Sequence, residues 1–329
     1  MGRESSLEEK LIIKKGFELE YIPAVKMKRS LIGIISFAFA YPLAVLKTVR
    51  VISRLKPNLL IATGGYVAGT AGIAACLNRI PVFLQEQNSI PGLASKLLNI
   101  IAVKTFIGFE DSARYFLRKR NIEFTGNPIR PEIGSLSRDE GCEIIGCSQE
   151  TDNILIIGGS QGAKSINRAI ENILNDLSDK KDNVQLIWQC GEGEKERLIG
   201  ECRRIGIKAV VRSFFDRMDA VYAATDIAVC RGGAITLAEL SKCGIPMIII
   251  PYPYAAANHQ YANALYYQKA SAGIVIEDNE TMTDKLRDTL VKLLESEGLR
   301  EQMASASRRI GKNSATETIA NSIKDFISR

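Results

Sequence analysis

The sequence predicts two doubly wound α/β domains. Short runs of Ile, Leu and Val alternate with helical stretches along the chain, a pattern typical of parallel βαβ units. Several runs end in glycines, as strands do where they lead into a phosphate-binding turn. The chain has 329 residues, whereas a single hydrophobic core stops growing at roughly 250–300 residues. Two domains are therefore expected.

The first domain is expected over residues 1–130. Its predicted strands lie in LLIATGGY, IPVFLQEQN and KTFIGF, with a helix after Pro91, and TGNPIR at 125–130 closes the domain. A doubly wound domain normally begins with a strand and a phosphate-binding turn, but this chain begins with Met1, Gly2 and a charged stretch. The opening βα unit of the first domain is therefore expected to be missing.

The second domain is expected over residues 131–329. Its polar opening at 131–153 is interpreted as a linker or short connecting element. Strands are then predicted in NILIIGG, VQLIWQCG, AVVRSFF, DIAVCRGG and PMIIIPYP, each followed by a helical pattern. The last helices run to Arg329, and a return of the final helix to the first domain is one alternative. The alternation of strands and helices that is typical of a doubly wound domain therefore occurs a second time.

Composition argues against several classes of function. The net charge is +6, but basic and acidic residues alternate, so no nucleic-acid partner is expected. The 7 cysteines include no CxxC pair, and His259 is the one histidine. No metal site, no disulfide framework and no cofactor are therefore expected. The first thirty residues lack the apolar core of a signal peptide.

One apolar stretch, Leu31 to Leu46, carries two open interpretations. It is shorter than the ~20 residues of a spanning helix and contains Pro42. Basic residues flank it on both sides within 26–56: Lys26, Lys28, Arg29, Lys47, Arg50, Arg54 and Lys56. Such a segment either rests on an anionic membrane face or is a buried helix with basic ends.

Two glycine turns in the second half favour binding of a diphosphate. Gly158-Gly159-Ser160-Gln161-Gly162 lies between a buried strand and a helix, where glycines allow close approach and free N–H groups favour an anion. Arg231-Gly232-Gly233-Ala234 repeats the arrangement. Glu239 then has two interpretations, because it can accept hydrogen bonds from ribose hydroxyls or close a capping box with Thr236.

Polar and aromatic residues at other predicted strand ends complete the candidate ligand cleft. In the first half these are the turn Gly64-Gly65-Tyr66 and the run from Gln85 to Asn88. In the second half, His259, Gln260 and Asn263 have amide and imidazole groups that suit sugar hydroxyls. Phe214 and Phe215 can cover a base ring or belong to the core.

These motifs together resemble the MurG family. GGSQGA, RGGAITLAE, TGGY, QEQN, GNPIR and HQYANA occur in one order over essentially the whole chain. The resemblance implies the glycosyltransferase-B fold, with two Rossmann-like domains, and UDP-N-acetylglucosamine held chiefly by the second. It implies transfer of N-acetylglucosamine to the lipid I acceptor, undecaprenyl-diphosphate-N-acetylmuramoyl-pentapeptide, with inversion. A peripheral position at the cytoplasmic membrane face and contacts with other cell-wall synthesis proteins are implied as well.

The resemblance also implies a role for each matching residue. Ser160, Arg130 and the turn at Ala234, Ile235 and Thr236 would hold the diphosphate, and Glu239 would bind the ribose. Phe214 and Phe215 would frame uracil, while Asn88, His259 and Gln260 would reach the sugar. Leu237 and Ala238 complete the donor set. Gly64, Gly65, Tyr66, Gln85 and Glu86 form the acceptor side.

Departures from the family pattern leave the identity of the catalytic base open. Gln85 stands where the family commonly has histidine, and the family's opening strand and glycine-histidine turn have no counterpart in the sequence. Glu86 and Asp216 are the remaining candidate bases. Two other functions stay open: a related glycosyltransferase with a diacylglycerol acceptor, and a non-catalytic UDP-sugar-binding remnant.

Overall fold

The computed structural model describes residues 1, 12–13, 16–23, 25, 30–159, 162–178, 182–311 and 314–328. The chain divides into two compact units, Met1–Gly126 and Asn127–Arg329. Asn127 to Arg130 therefore belong to the second unit. Lys26, Lys28, Arg29, Ser160 and Gln161 from the predictions above lie outside the described residues, as does much of the segment ahead of residue 30.

In the part of the first unit that the structure describes, four parallel strands form a sheet in the order β1-β2-β3-β4. Helix α1 precedes the sheet. Strands and helices then alternate through β3 as predicted, and β4 is an additional strand. The bounds are α1 Leu31–Leu55, β1 Leu60–Ala62, α2 Gly65–Leu77, β2 Val82–Glu86, α3 Leu93–Ile101, β3 Lys104–Ile107 and β4 Ile122–Phe124. Two short 3-10 helices, Glu110–Tyr115 and Lys119–Asn121, connect β3 to β4.

Helix α1 extends nine residues beyond the predicted apolar stretch. It packs on α2 through a buried face that contains Ala44, Val45, Thr48 and Ile52. Within it, Ser36–Leu55 is long and apolar enough to cross a membrane by length and composition, and 22% of that window is buried in the unit. The helix is thus neither a fully buried core helix nor a fully exposed one.

The described strands of the second unit form one parallel sheet in the order β7-β6-β5-β8-β9-β10. The chain winds outward from β5 to β7 and then returns to β8, so the winding direction changes between β5 and β8. The strands are β5 Asp152–Ile157, β6 Val184–Gln189, β7 Lys208–Arg212, β8 Ile227–Cys230, β9 Met247–Ile249 and β10 Gly273–Val275. This is the dinucleotide-binding strand order, in which ligands bind beside the reversal point.

Helices cover this sheet and enclose a core in which Ile154, Ile156, Trp188 and Val229 are almost fully buried. The helices are α4 Arg138–Ile145, α5 Lys164–Asn172, α6 Leu174–Ser178, α7 Lys195–Ile205, α8 Met218–Ala223, α9 Ala234–Cys243, α10 His259–Lys269, α11 Met282–Glu295, α12 Glu297–Ile310 and α13 Ala315–Ile327.

Candidate functional site

The two glycine turns of the second unit begin side by side. Ile157 of β5 pairs in register with Cys230 of β8, and the turns start at the next residues, Gly158 and Arg231. Both turns therefore leave the carboxyl edge of the sheet at its reversal point. That position agrees with the prediction that they face one ligand.

Helix α9 starts directly after the second turn and has no side-chain cap. Gly233 is the residue at its N-cap, and no side chain accepts a hydrogen bond from the first turn. The N–H groups at such a helix start remain available for an anion. The capping-box interpretation of Thr236 and Glu239 is wrong, because Thr236 is already the third helical residue.

Glu239 is buried and held by two other side chains. It is 4% exposed. Its Oε1 accepts hydrogen bonds from Nε and Nη2 of Arg130, both at 3.1 Å, and its Oε2 accepts one from the Tyr222 hydroxyl at 2.9 Å. Burial and the neighbouring Glu239 charge raise the pKa of Tyr222 well above its ordinary value. Tyr222 therefore stays a protonated donor, and the carboxylate has a fixed orientation.

The first glycine turn is held by the end of the neighbouring strand. Gly159 and Gly162 have φ of 91° and 73°, and a Cβ at Gly162 would lie 2.2 Å from the carbonyl oxygen of Cys190. Gln189 donates from Nε2 to the carbonyl of Gly159 at 3.0 Å. These contacts require glycine in the turn, whereas the predicted phosphate contact of Ser160 lies outside the described residues.

The same glutamine links this turn to the predicted uracil site. Its Oε1 accepts from the backbone N–H of Phe215 at 3.0 Å. Phe215 is 1% exposed and packs in the core, whereas Phe214 is 50% exposed. The prediction that both rings frame a base is wrong for Phe215, because its ring has no accessible face. Asp216, the next residue and a candidate base, is exposed.

Helix α10 begins against the second glycine turn. Asn263 donates to the carbonyl oxygen of Gly232 at 3.1 Å, and a Cβ at Gly232 would lie 2.3 Å from the carbonyl oxygen of Gln260. His259 Nδ1 is 2.7 Å from the carbonyl of Ala256. Because a carbonyl only accepts, Nδ1 carries a proton, and in the neutral ring Nε2 is then an acceptor that suits a sugar hydroxyl.

In the first unit, the turn after β1 also leads into a helix without a side-chain cap. Gly64 and Gly65 have φ of 86° and 80°, and α2 begins at Gly65 with no side chain bound to its first turn. The Tyr66 side chain beside this turn is 49% exposed. These residues provide free N–H groups and an aromatic ring at the surface of the unit.

Gln85 and Glu86 end β2 and are buried, at 3% and 4% exposure. The Oε1 atom of Glu86 accepts from the backbone N–H of Asn88 at 2.9 Å and from its Nδ2 at 3.3 Å. The carboxylate thus fixes the local turn, and the Asn88 amide is directed at Glu86. Both contacts use Oε1, so a base role for Glu86 would fall to Oε2.

Tyr222 and Gln189 are two functional candidates that sequence reasoning missed. Tyr222 lies 17 positions before Glu239, and Gln189 lies 26 positions before Phe215. No local motif connects such distant partners. Alternation along a buried strand gives a partial signal for Gln189, since a glutamine inside an apolar run requires a hydrogen-bond partner.

Comparison with known proteins identifies the family. The glycosyltransferase family 28 C-terminal domain matches residues 153–323, and the family 28 N-terminal domain matches residues 1–107. The UDP-N-acetylglucosamine--N-acetylmuramyl-(pentapeptide) pyrophosphoryl-undecaprenol N-acetylglucosamine transferase of Halothermothrix orenii is 34% identical over 99% of this chain and 90% of its own length. The protein of the same name from Caldicellulosiruptor saccharolyticus is 32% identical over 100% of this chain and 89% of its own.

A solved structure agrees with the fold. MurG of Acinetobacter baumannii matches with a TM-score of 0.76 and 24% identity, over 98% of this chain and 89% of that one. The two parallel sheets, the paired glycine turns and the relatives of nearly equal length are mutually consistent. This chain is a member of glycosyltransferase family 28 and belongs to the MurG family within it.

Proposed function

We propose that this protein transfers N-acetylglucosamine from UDP-N-acetylglucosamine to the muramoyl 4-hydroxyl of undecaprenyl-diphosphate-N-acetylmuramoyl-pentapeptide. The relatives named for this activity match this chain over nearly their whole length. The observation that carries the proposal is Glu239, a buried carboxylate held by Arg130 and Tyr222 in the helix that starts at the second glycine turn. A carboxylate in that position is suited to bind the ribose hydroxyls of a nucleotide.

The proposed chemistry is a direct displacement at the anomeric carbon, with inversion. The acceptor hydroxyl attacks, the bond to the diphosphate breaks, and UDP leaves with the electron pair. Uncapped helix starts at Ala234 and near Gly162 stabilise the charge that grows on the leaving diphosphate. This charge stabilisation needs no metal ion, so turnover is expected to persist in EDTA. Glu86 and Asp216 remain the candidates for the group that takes the proton.

Donor roles for the other residues are part of the proposal. The N–H groups at Ala234, Ile235 and Thr236 would meet the diphosphate together with Arg130, and Phe214 has the exposed ring that would cover uracil. His259 would accept from the sugar through Nε2, and Gln260 would contact it as well. Leu237 and Ala238 extend the same helix start. Asn88 and Ser160 keep the donor roles that the family pattern implies.

The test is turnover with defined acceptors. Purified protein receives UDP-N-acetylglucosamine with either the undecaprenyl-linked muramoyl pentapeptide or diacylglycerol. We expect turnover with the first acceptor only. Turnover with diacylglycerol alone would support the related glycosyltransferase instead, and UDP binding without turnover on either acceptor would support the non-catalytic remnant.

A substitution of Glu239 tests the donor site separately, by measurement of UDP affinity. Glu239→Gln keeps an acceptor for Tyr222 but removes the charge, and we expect UDP affinity to fall by about tenfold or more, as for a lost charged hydrogen bond. Asp226→Asn is the matched control. Asp226 also pairs with an arginine, Arg138, but at the amino end of β8, so UDP affinity should be unchanged.

We propose further that α1 rests on the cytoplasmic membrane face, within the predicted segment 26–56. Phe39, Leu43 and Leu46 are 74%, 60% and 56% exposed, and their i, i+4, i+7 spacing forms one apolar stripe. Lys47 and Arg50 are exposed next to it. Apolar surface bordered by basic residues supports peripheral attachment to anionic lipid.

Co-sedimentation with vesicles containing anionic lipid tests this attachment. Replacing Lys47 and Arg50 by Gln should weaken binding by about 1 kcal/mol for each charge removed. Replacing Arg203 and Arg204 by Gln makes the same charge change on the exposed surface of α7 and should have little effect. Equal losses in both double variants would show that net charge, and not the α1 surface, controls binding.

A further inference from the structure

Arg231 is a charged residue that is nearly buried and satisfied by several chain segments. Its side chain is 11% exposed. Nη2 donates to Ser165 Oγ at 2.8 Å, and Nη1 donates to Asp278 Oδ2 at 2.8 Å and to the carbonyl of Ile250 at 3.1 Å. The guanidinium thus connects the second glycine turn to the start of α5, the end of β9 and the segment after β10.

The partners of Arg231 also bind each other. Ser165 Oγ donates to Asp278 Oδ2 at 2.8 Å, which closes a triangle of three side chains. Ser165 is the second residue of α5, the helix that follows the first glycine turn. Among the described residues, the triangle therefore connects the second turn to the helix that follows the first turn, and the proposed function assigns both turns to the donor diphosphate.

The residue after Arg231 extends this junction to a third helix. Gly232 contacts the backbone of Gln260 and accepts from Asn263 of α10. Helices α5, α9 and α10 thus begin around one residue pair, Arg231-Gly232. None of the three has a side-chain hydrogen bond at its N-cap.

We propose that Arg231, through Ser165 and Asp278, is a positioning residue that sets the separation of the α5 and α9 N-termini so that both address one donor diphosphate. This inference rests on the proposed function. Two helix starts stabilise the same anion only where their N–H groups converge on it. A shift of one helix by about 1 Å weakens such an alignment substantially.

The choice of arginine supports positioning over simple packing. A buried ion pair is often no more stabilising than apolar residues of the same volume. The rigid guanidinium fork, however, presents donors in fixed directions to Ser165 and Asp278 at once. A lysine ammonium is one charged point on a flexible stem, so Arg231→Lys keeps the charge and loses the spacing.

Binding of UDP and of uridine to the whole protein tests this role. We expect Arg231→Lys to lower UDP affinity by about tenfold or more, as for loss of charged hydrogen bonds, and to leave uridine affinity unchanged. A residue that attracts the diphosphate by charge alone would tolerate lysine. A residue that only stabilises the fold would lower the affinities for UDP and uridine together.

Milder variants keep the test valid if Arg231→Lys does not fold. Asp278→Asn retains an oxygen that accepts from both Arg231 and Ser165, so it should bind UDP more tightly than Asp278→Ala. Ser165→Ala removes two sides of the triangle but keeps the contact between Arg231 and Asp278, so it should give a smaller loss than Arg231→Lys. Equal UDP affinity for Asp278→Asn and Asp278→Ala would overturn the proposal.

Arg300→Lys is the matched control. Arg300 is 19% exposed and lies 3.7 Å from Asp152, and it donates to the carbonyls of Leu293 and Leu294. Asp152 begins β5, at the edge of the sheet away from the turns, so UDP affinity should not change. Wild-type UDP affinity in Arg231→Lys overturns this inference alone. Absence of UDP binding by the wild-type protein overturns the proposed donor site and the inference with it.

Discussion

The turns that follow β1 and β8 have similar sequences, Thr63-Gly64-Gly65-Tyr66 and Arg231-Gly232-Gly233-Ala234, but they use glycine for different reasons. A Cβ at Gly232 would lie 2.3 Å from the carbonyl oxygen of Gln260. In the first-unit turn, a Cβ at Gly64 would make only an ordinary contact, 3.4 Å from Ser95 Oγ, and one at Gly65 has nothing within 4 Å. Gly65 has φ of 80°, which disfavours other residues. The turn in the second unit is held by neighbouring elements, and the turn in the first unit is shaped by its own backbone.

The helices after these turns also differ, in the buried polar residue that each one carries. The sixth helical residue is Glu239 in α9 and Thr70 in α2, and both are buried. The Tyr222 hydroxyl donates to Glu239 at 2.9 Å. Burial raises the pKa of Tyr41, and the neighbouring Thr70 side chain opposes that rise. The Thr70 hydroxyl donates to the carbonyl of its own helix at Tyr66, whereas Glu239 retains a charge. One position holds a neutral hydroxyl bound to its own helix, and the other holds a carboxylate in a fixed orientation, as the proposed donor site requires.

The largest effect is expected from Gly232→Ala. The added methyl group must displace the start of α10, and overpacking of this kind costs about 3 kcal/mol of unfolding free energy. The shift also separates Gly232 from Asn263 and moves His259 and Gln260 away from the proposed sugar position. Urea unfolding measures the stability loss, and titration with UDP-N-acetylglucosamine measures the accompanying loss of affinity.

Gly65→Ala is the matched comparison in the first unit. The methyl group meets open space, so the cost is confined to the left-handed backbone conformation, about 1 kcal/mol. Donor affinity should stay at the wild-type value, since Gly65 belongs to the proposed acceptor side. A loss of stability as large as that of Gly232→Ala would show that the two turns are held alike, contrary to this comparison.

Most of the sheet and the turns could be predicted from the sequence, because apolar runs that end in glycine are local signals. Three elements escaped prediction. Strands β4 and β10 have three residues each. Strands β1 and β9 are as short, but β4 has the charged Glu123 at its centre, and β10 leads into Glu277 and Asp278 without a glycine turn. Helix α4 lies in the segment interpreted as a linker, although Ser137 and Glu140 form its capping box. That signal was present in the sequence and could have been used.

The candidate site was predictable only where its residues follow one another. Glu239 and the two glycine turns belong to continuous motifs, but Arg130 lies 109 positions from Glu239 and Arg231 lies 66 positions from Ser165. Those contacts depend on tertiary packing. The burial of Phe215 beside the exposed Phe214 was foreseeable in part, since adjacent side chains of an extended segment point to opposite faces.

A smaller effect, and the most direct measure of the difference between the two helices, is expected from Tyr222→Phe. Removing the hydroxyl leaves Oε2 of the buried Glu239 with one partner fewer, and loss of a hydrogen bond to a charged group costs about 2 kcal/mol. Because the folded state raises the pKa of Tyr222 above the ordinary value of 10.0, this stabilisation is fully present below pH 10. It is lost as the pH rises through the folded-state pKa.

Tyr41→Phe removes the matching hydroxyl in the first unit and serves as the control. Its partner is a neutral hydroxyl that also binds a backbone carbonyl, so the expected cost is about 1 kcal/mol or less. UDP affinity should fall in Tyr222→Phe, since Glu239 becomes free to change its orientation, and should be unchanged in Tyr41→Phe. Equal UDP affinity in both variants would mean that Tyr222 stabilises the fold without orienting Glu239, and that the two helices differ in charge but not in preorganisation.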